Sequence, residues 1–392
     1  MLKNSTLTTF LVFFCALGFI AAPIICAQDI YFYCPDEVLF LRQGQQIFQR
    51  TFTEKDLNGN CGGDAMVRRN PRFALYILGG LDLAAQKTQK ILYNVDRNII
   101  RKILLAVIAA GSTTLFYLLV KTSVSQYAGM IAVMFLLINP YFQLISRSVL
   151  LELPMLFFTL CALLELVYLE KKLQYPLPWK SILRFGFLAG MAVSCKLYAF
   201  PLYPSFLIII LSQKTKFVLK DRIKAVFLIV FCGLAIFVVT NSSLRHNFFE
   251  GIKDMTINHL SNKNGGGIYT RNYSGALNIF LYPFALFGQT PFTMSREIKL
   301  TDLRMIDFIG VFLGYLLLMY NLIKKNFIVN KVAYVWGANS FIFMWLVMVS
   351  LPSCTYISKI FLIPSIDLIW IILGMFQDQQ TNLNDKKAQS SQ

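Results

Sequence analysis

Residues 146–158, SRSVLLELPMLFF, place Arg147 and Glu152 five residues apart where an apolar helix begins. A charge at bilayer depth costs roughly 2.5–3.5 kcal/mol on membrane-insertion scales, so charged side chains in such a position mark candidate functional sites. A second acidic pair, Asp36-Glu37, follows the first hydrophobic segment. Together the two groups indicate a membrane protein that handles charged, polar ligands at the membrane surface.

The composition supports a membrane protein. Of the 392 residues, 56% are hydrophobic and only 15% are charged, which is typical of an all-α polytopic membrane protein rather than of a soluble domain. The net charge of +17 would suggest nucleic-acid binding in a soluble protein. Here Lys and Arg crowd the short loops, as the positive-inside rule requires of cytoplasmic loops. We therefore expect the lipid bilayer, and not nucleic acid, as the partner of this charge.

About ten transmembrane helices are predicted. The first apolar segment, residues 7–27, is either a cleaved signal peptide or an uncleaved helix, and we favour the helix because the segment is long and nine more follow. The other predicted spans are 102–120, 126–142, 150–169, 180–195, 197–213, 224–240, 305–323, 332–351 and 357–376. Residues 276–293 are also apolar but contain two prolines and a glycine, so we interpret them as a re-entrant or interfacial element.

The loop charges orient these spans. With the N-terminus inside, the cytoplasmic loops are short and basic, and the outside face holds a long first loop, 28–100, and a second segment, 241–304. The chain is therefore predicted to form one transmembrane domain, 1–376, followed by a cytoplasmic tail, 377–392. Arg101-Lys102 falls on the outside face, against the rule. All the candidate polar groups fall on that same face.

Cysteine and histidine usage gives little indication of a metal. The chain has eight cysteines and two histidines, and they form no CxxC pair or Cys/His cluster with the spacing of a zinc site. We therefore expect no metal cofactor. Cys34 and Cys61 both lie in the first long loop, and a disulfide between them depends on whether that loop faces an oxidising compartment.

The first loop holds two features of interest. Asp36-Glu37 offers adjacent carboxylates, one to abstract a proton and one to orient a partner, because a general base must lie within hydrogen-bond reach of the hydroxyl that it deprotonates. The alternative is a solvated pair or the start of a helix at Pro35. Residues 71–86 are predicted to form an amphipathic helix in the membrane interface.

The remaining candidates are basic side chains and one carboxylate near the same face. Arg147 is suited to bind a phosphate through two parallel hydrogen bonds, and Glu152 to hold a sugar hydroxyl or to orient Arg147; the alternative is a structural ion pair. Lys196 interrupts two apolar runs, where its ammonium suits a lipid-linked phosphate or snorkels to the interface. Lys359 begins the last apolar run and has the same two interpretations.

At these residues the sequence resembles the protein O-mannosyltransferase group (glycosyltransferase family 39) and its bacterial relatives, which include the aminoarabinose transferases of lipid A. All are membrane glycosyltransferases of the GT-C fold. The resemblance extends over about residues 1–376 and depends on five motifs in order. These are CPDEVLF at 34–40, RRNPRFALYILGGL at 68–81, SRSVLLELPMLFF at 146–158, GMAVSCKLYAFPLYP at 190–204 and SKIFLIPSIDLIWIILG at 358–374.

The resemblance implies an inverting, metal-independent transfer of a sugar from a polyprenyl-phosphate donor to an acceptor on the extracytoplasmic face. Asp36 would be the catalytic base and Glu37 its neighbour. Arg147 and Lys196 would bind the donor phosphate and neutralise its charge as it departs, with Glu152 on the donor and Lys359 as a further contact. The acceptor, whether protein, lipid or another glycan, is not determined by the sequence.

The sequence departs from the family pattern in three places. Glu152 stands where the family has Asp, and Asn70-Pro71-Arg72 replaces a pair of prolines. The loop at 241–275 is too short for the extra luminal domain of the eukaryotic enzymes, which favours a bacterial inner membrane. In a eukaryote the membrane would be that of the ER, and Asn241 and Asn272 would begin outward-facing glycosylation sequons.

Two other classes of function remain open. A lipid or sugar transporter or flippase would also carry charges within its spans, but spread along a pathway through the membrane midplane rather than collected on one face. A non-catalytic membrane subunit would tolerate substitution of Asp36 and Arg147. Appearance of a labelled sugar on an acceptor distinguishes the transferase from both.

Overall fold

The computed structural model describes residues 2–27, 35–49, 72–172, 178–212, 219–241 and 331–350, together with Phe249, Trp370 and Ile372. Within these ranges the regular structure is helical and contains no strand. The all-α prediction is therefore confirmed. Several of the helices that follow the first hydrophobic segment are long and apolar, as expected for a polytopic membrane protein.

The helices are numbered in chain order. They are α1 (Leu2–Cys26), α2 (Pro35–Gln49), α3 (Phe73–Ile91), α4 (Arg97–Ser123), α5 (Gln126–Ile138), α6 (Pro140–Arg147), α7 (Glu152–Lys172), α8 (Trp179–Cys195), α9 (Leu202–Ser212), α10 (Leu219–Thr240) and α11 (Lys331–Ser350). A short 3-10 turn, Leu197–Ala199, lies between α8 and α9.

Four of the described helices are long and apolar enough to cross a bilayer. They contain the candidate spans Thr6–Cys26, Arg97–Ser123, Glu152–Lys171 and Leu219–Thr240. The span in α7 is 72% buried, whereas those in α1 and α10 are 22% and 17% buried. The exposed surface of α1 and α10 includes Phe10, Phe14, Phe227 and Phe231. This apolar exposure suits contact with lipid acyl chains.

The described residues divide into two compact units. One is formed by those within Met1–Leu115, Phe142–Tyr203 and Thr215–Asn262, and the other by those within Phe116–Tyr141, Pro204–Lys214 and Lys263–Gln392.

In the second unit, interhelical hydrogen bonds join distant parts of the chain. Trp370 Nε1 donates to Ser123 Oγ at 2.6 Å, and Asn339 Nδ2 donates to Ser205 Oγ at 3.0 Å. Polar bonds of this kind stabilise helix association in a membrane, where lipid is as apolar as the helices.

In the first unit, α2 and α3 cross at two glycines. A Cβ added to Gly44 would lie 2.7 Å from the Leu75 carbonyl oxygen and 2.8 Å from the Gly79 nitrogen, and a Cβ on Gly79 would clash with the Gly44 carbonyl. Only glycine lets the two backbones approach so closely. The buried residues of α3 fall along one face, as its amphipathic pattern requires. They are Ala74, Leu75, Leu78, Gly79, Asp82 and Ala85.

A second close contact joins α8 and α10. A Cβ on Gly190 would lie 3.0 Å from the Gly233 Cα, and one on Gly186 would lie 3.2 Å from the Ile229 Cα. Gly186 and Gly190 are four residues apart, which is the small-residue spacing typical of tightly packed membrane helices. This packing supports the C-terminal end of α8, which carries Lys196.

Several predicted helix boundaries are correct and two are wrong. The predicted helix over 71–86 is confirmed as α3, although it continues to Ile91. The predicted span 126–142 ends at Ile138, because Asn139 precedes a proline and is held out of the helical region at φ −64° and ψ 120°. The predicted span 197–213 is likewise broken into the 3-10 turn and α9, with Pro201 between them.

Other predictions fall on residues outside the described ranges. They include the predicted span 305–323 and the apolar element 276–293, almost all of 357–376 with Lys359, and the two cysteines Cys34 and Cys61, whose pairing stays open. The outer limits of the predicted domain and of its second outside segment also stay predictions.

Candidate functional site

The candidate site begins at the short connection between α6 and α7. Arg147 is the last residue of α6 and Glu152 is the first residue of α7. Val149, Leu150 and Leu151 between them are each 1% exposed. A buried connection needs hydrogen-bond partners for its backbone, because an unpaired buried N–H is costly.

Glu37 supplies one of those partners from a different helix. Its side chain is fully buried, and Oε2 accepts a hydrogen bond from the Val149 N–H at 2.8 Å. Glu37 lies in the first turn of α2, directly after Asp36. The side chain of Asp36 is outside the described part of the chain, so its contacts stay open. The first-loop motif and the Arg147–Glu152 motif are nevertheless in contact through Glu37.

Glu152 joins the site to Lys196. Lys196 Nζ lies 2.5 Å from Glu152 Oε1, and the two side chains are 18% and 5% exposed. The helix α8 ends at Cys195, and Lys196 takes an extended conformation with φ −161° and ψ 137°. This break was predicted from the lysine between two apolar runs. Lys196 Nζ also lies 4.8 Å from the centre of the Tyr198 ring, within reach of a cation–π interaction.

Arg147 differs from Lys196 in its pairing. It is half-buried at the C-terminal end of α6, where the helix dipole favours a cation. Its Nε is buried and has no hydrogen-bond partner in the part of the chain that the structure describes. A buried guanidinium N–H without a protein acceptor is suited to an anionic ligand.

Sequence reasoning missed a second group of buried charges, which lies where α2, α3 and α4 meet. Asp82 in α3 is fully buried; its Oδ1 accepts from Arg101 Nε at 2.8 Å and its Oδ2 from Arg97 Nη2 at 2.7 Å. Gln45 of α2 donates to the same carboxylate. Asp82 pairs with Arg101 inside the protein, so this arginine has a structural partner and its place on the predicted outside face weighs less against the predicted orientation. The available signal was a lone Asp on the apolar face of α3.

The side chain of Asn241 is buried and hydrogen-bonded inside the protein, and it does not lie free at the surface. It is fully buried; its Oδ1 accepts from the Arg72 N–H at 2.8 Å, and its Nδ2 donates to the Phe237 carbonyl at 2.7 Å. The bond fixes the start of α3 to the end of α10. A residue held in this way is a poor glycosylation acceptor in any organism.

Among the described residues, no group of three or more His, Cys, Asp or Glu side chains is placed to hold a metal ion. The independence from metal that the resemblance implies stays a prediction. The roles of Asp36, Glu37, Arg147, Glu152, Lys196 and Lys359 likewise stay predictions.

The fold and the buried charges define an integral membrane protein with a polar site built where several helices end. Residues 85–243 match the family model described as dolichyl-phosphate-mannose-protein mannosyltransferase, which confirms the resemblance seen in the sequence. Arg147, Glu152 and Lys196 lie within the match, whereas Asp36 and Glu37 precede it. No curated protein matches the chain with significance.

Proposed function

We propose that the protein transfers a sugar from a polyprenyl-phosphate-linked donor to an acceptor on the extracytoplasmic face of the membrane. The observation that carries this proposal is the pair of contacts that link three separate motifs. Glu37 accepts a hydrogen bond from the Val149 N–H, and Glu152 forms an ion pair with Lys196. The first loop, the α6–α7 connection and the end of α8 therefore meet in one unit. The family match supports a glycosyltransferase that uses a lipid-linked donor.

In the proposed reaction the acceptor hydroxyl attacks the anomeric carbon of the donor. Asp36 takes the hydroxyl proton as the oxygen–carbon bond forms, and the bond from that carbon to the phosphate oxygen breaks. The polyprenyl phosphate leaves with the bonding electrons, and Arg147 and Lys196 stabilise its negative charge. Attack opposite the leaving group inverts the configuration, and no metal ion takes part.

The positions of the charges support this chemistry over a transport pathway. Glu37, Arg147, Glu152 and Lys196 all lie at helix ends or in the residue that follows one. A transporter would instead spread its charges along a pathway through the membrane. Here the described contacts link the charges of three motifs to one another within one unit, which suits a single site where a lipid-linked phosphate and a polar acceptor meet.

The first experiment is a transfer assay with the purified protein in proteoliposomes. A panel of polyprenyl-phosphate sugars is offered, with water as the default acceptor, and release of polyprenyl phosphate is measured. We expect wild type to consume one donor and Asp36→Asn to lower the rate by about 10²–10⁴-fold, the usual contribution of a general base.

Asp96→Asn is the matched control, because it makes the same change at an exposed carboxylate in the turn before α4. Asn serves as well as Asp at the start of a helix, so this variant should keep wild-type turnover. Wild-type-like turnover by Asp36→Asn would contradict the assignment of the base. Consumption of no donor by folded wild type, even with added acceptors, would favour the transporter.

The compact loops favour a bacterial plasma membrane, with the site facing the periplasm or exterior. The same transfer assay identifies the sugar when the donors are varied with one acceptor, and it identifies the acceptor when acceptors are varied with one donor.

A further inference from the structure

Two serine hydroxyls beside the candidate site are buried without hydrogen-bond partners. Ser148 and Ser194 are each fully buried, and neither Oγ has a partner among the described residues. Most buried polar side-chain atoms do have a partner, so an orphaned one calls for a physical reason. Leaving a hydroxyl unpaired in a dry interior opposes folding, since its bonds to water are lost and not replaced.

In α4 and α10, five helical hydroxyls have a partner in their own helix. Ser112, Thr113, Thr114, Ser123 and Thr240 each donate to the carbonyl four residues earlier, at 2.7–3.0 Å. Thr159 Oγ1 in α7 and Ser340 Oγ in α11, like the two serines, have no partner among the described residues. Ser194 lies in the last turn of α8, and serine hydroxyls inside helices commonly donate to the carbonyl of the preceding turn. Its hydroxyl does not make that bond.

Both serines adjoin the charged residues of the site. Ser148 follows Arg147, whose Nε is also buried and unpaired in the described part of the chain. Ser194 lies two residues before Lys196. The Glu152–Lys196 ion pair joins the connection that contains Ser148 to the residue after α8, so both serines lie in the two segments that this pair links.

We propose that Ser148 and Ser194 donate hydrogen bonds to the phosphate of a polyprenyl phosphate, beside Arg147 and Lys196. This inference rests on the proposed function and adds two neutral donors to its charged residues. Phosphate oxygens accept several hydrogen bonds at once, and bonds to an anion are stronger than neutral ones. Lys196 has three N–H groups, so its contact with Glu152 leaves donors for the same ligand.

The test measures binding of polyprenyl monophosphate to the full-length protein in detergent, which requires neither the sugar nor the acceptor. The variants are Ser148→Ala and Ser194→Ala. Each should raise Kd about five- to tenfold, where tenfold corresponds to about 1.4 kcal/mol. The melting temperature of the free protein should stay equal or rise, because neither variant loses a protein hydrogen bond.

Two controls isolate the effect. Ser112→Ala removes a buried hydroxyl that has its own partner, and Thr159→Val removes an orphaned one about 10 Å further along α7. Both should keep the wild-type Kd. Polyprenol, which lacks the phosphate, should bind far more weakly than polyprenyl phosphate. Phosphatidic acid carries the same anion but lacks the polyprenyl chain, so it should compete poorly if the site also recognises that chain.

The outcomes separate this inference from the proposed function. An unchanged Kd for both serine variants, with wild type binding and turning over donor, would overturn the inference alone. A melting temperature below wild type that accompanies weaker binding would also overturn it, since the serines would then be structural. Equal binding of phosphatidic acid would overturn the donor assignment. Wild type that neither binds polyprenyl phosphate nor consumes donor would defeat the proposed function itself.

Discussion

At the scale of single residues, the two carboxylates that the structure describes in the site are each buried against a donor. Glu37 accepts from a backbone N–H and Glu152 from an ammonium. Each of these bonds connects segments far apart in the chain. The carboxylates therefore hold distant segments in place and also give the site negative charge. Substitutions that test them must distinguish the loss of a hydrogen bond from the loss of a charge.

For Glu37, the informative comparison is Gln against Ala. Glu37→Gln keeps a side-chain oxygen that can accept from the Val149 N–H, so we expect stability within about 1 kcal/mol of wild type. Glu37→Ala leaves that N–H buried without its partner, at a cost of about 1–3 kcal/mol. Thermal unfolding in detergent measures both. Equal stability of the two variants would show that the hydrogen bond to Val149 does not hold the loop.

For the Glu152–Lys196 pair, a double-mutant cycle is the appropriate test. Lys196→Met leaves the buried Glu152 carboxylate without its ammonium, so we expect a loss of about 3–5 kcal/mol in the free energy of unfolding. Adding Glu152→Gln removes the carboxylate charge that has lost its ammonium and should recover part of that loss. Additive effects of the two changes would mean that the ion pair contributes nothing. Transfer activity should be low in both variants.

At the scale of elements, the crossing of α2 and α3 determines where the first-loop carboxylates lie. Gly44 and Gly79 bring the backbones together, and Asp82 binds both Gln45 on α2 and two arginines on α4. Since α2 begins at Pro35, the orientation of Asp36 and Glu37 follows from this crossing. The helices that carry no candidate catalytic residue are thus part of how the site is built.

Gly79→Ala tests the crossing. The added methyl group meets the Gly44 backbone, which cannot rotate away as a side chain can, so the helices must separate. We expect a loss of about 1–3 kcal/mol in stability, as for overpacked cores, together with reduced transfer. Gly18→Ala is the matched control, since a Cβ there meets nothing within 4 Å. Similar losses in the two variants would argue that the crossing is not the cause.

At the scale of the whole molecule, the topology is the property most in need of measurement. The ten-span prediction places the turn between α3 and α4 outside and the C-terminal tail inside. We expect an epitope inserted after the exposed Asn94 to be reached by antibody in intact cells or spheroplasts, and a C-terminal epitope only after permeabilisation. Access to both tags without permeabilisation would indicate an odd number of spans, with 276–293 as the first candidate for the extra one.

Much of the fold was predictable because membrane helices are apolar over a fixed length. The spans in α4, α7 and α10 follow from long, mostly apolar runs with few charges, and the break at Lys196 follows from a charge between two apolar runs. The error at 126–142 came from a local conflict. Hydrophobicity continues through Asn139-Pro140, but the proline excludes its predecessor from the helical conformation.

The sequence by itself determined the helical class, the apolar spans and a short set of charged residues to test. Each of these depends on residues close together in the sequence, either as an apolar run or as a charge inside such a run. The tertiary structure decided the partners. It paired Glu152 with Lys196, 44 residues away, and Glu37 with Val149, 112 residues away. It also buried Asp82, Ser148 and Ser194. Such pairings depend on how helices cross, and close approach at glycines such as Gly44 and Gly79 sets that crossing.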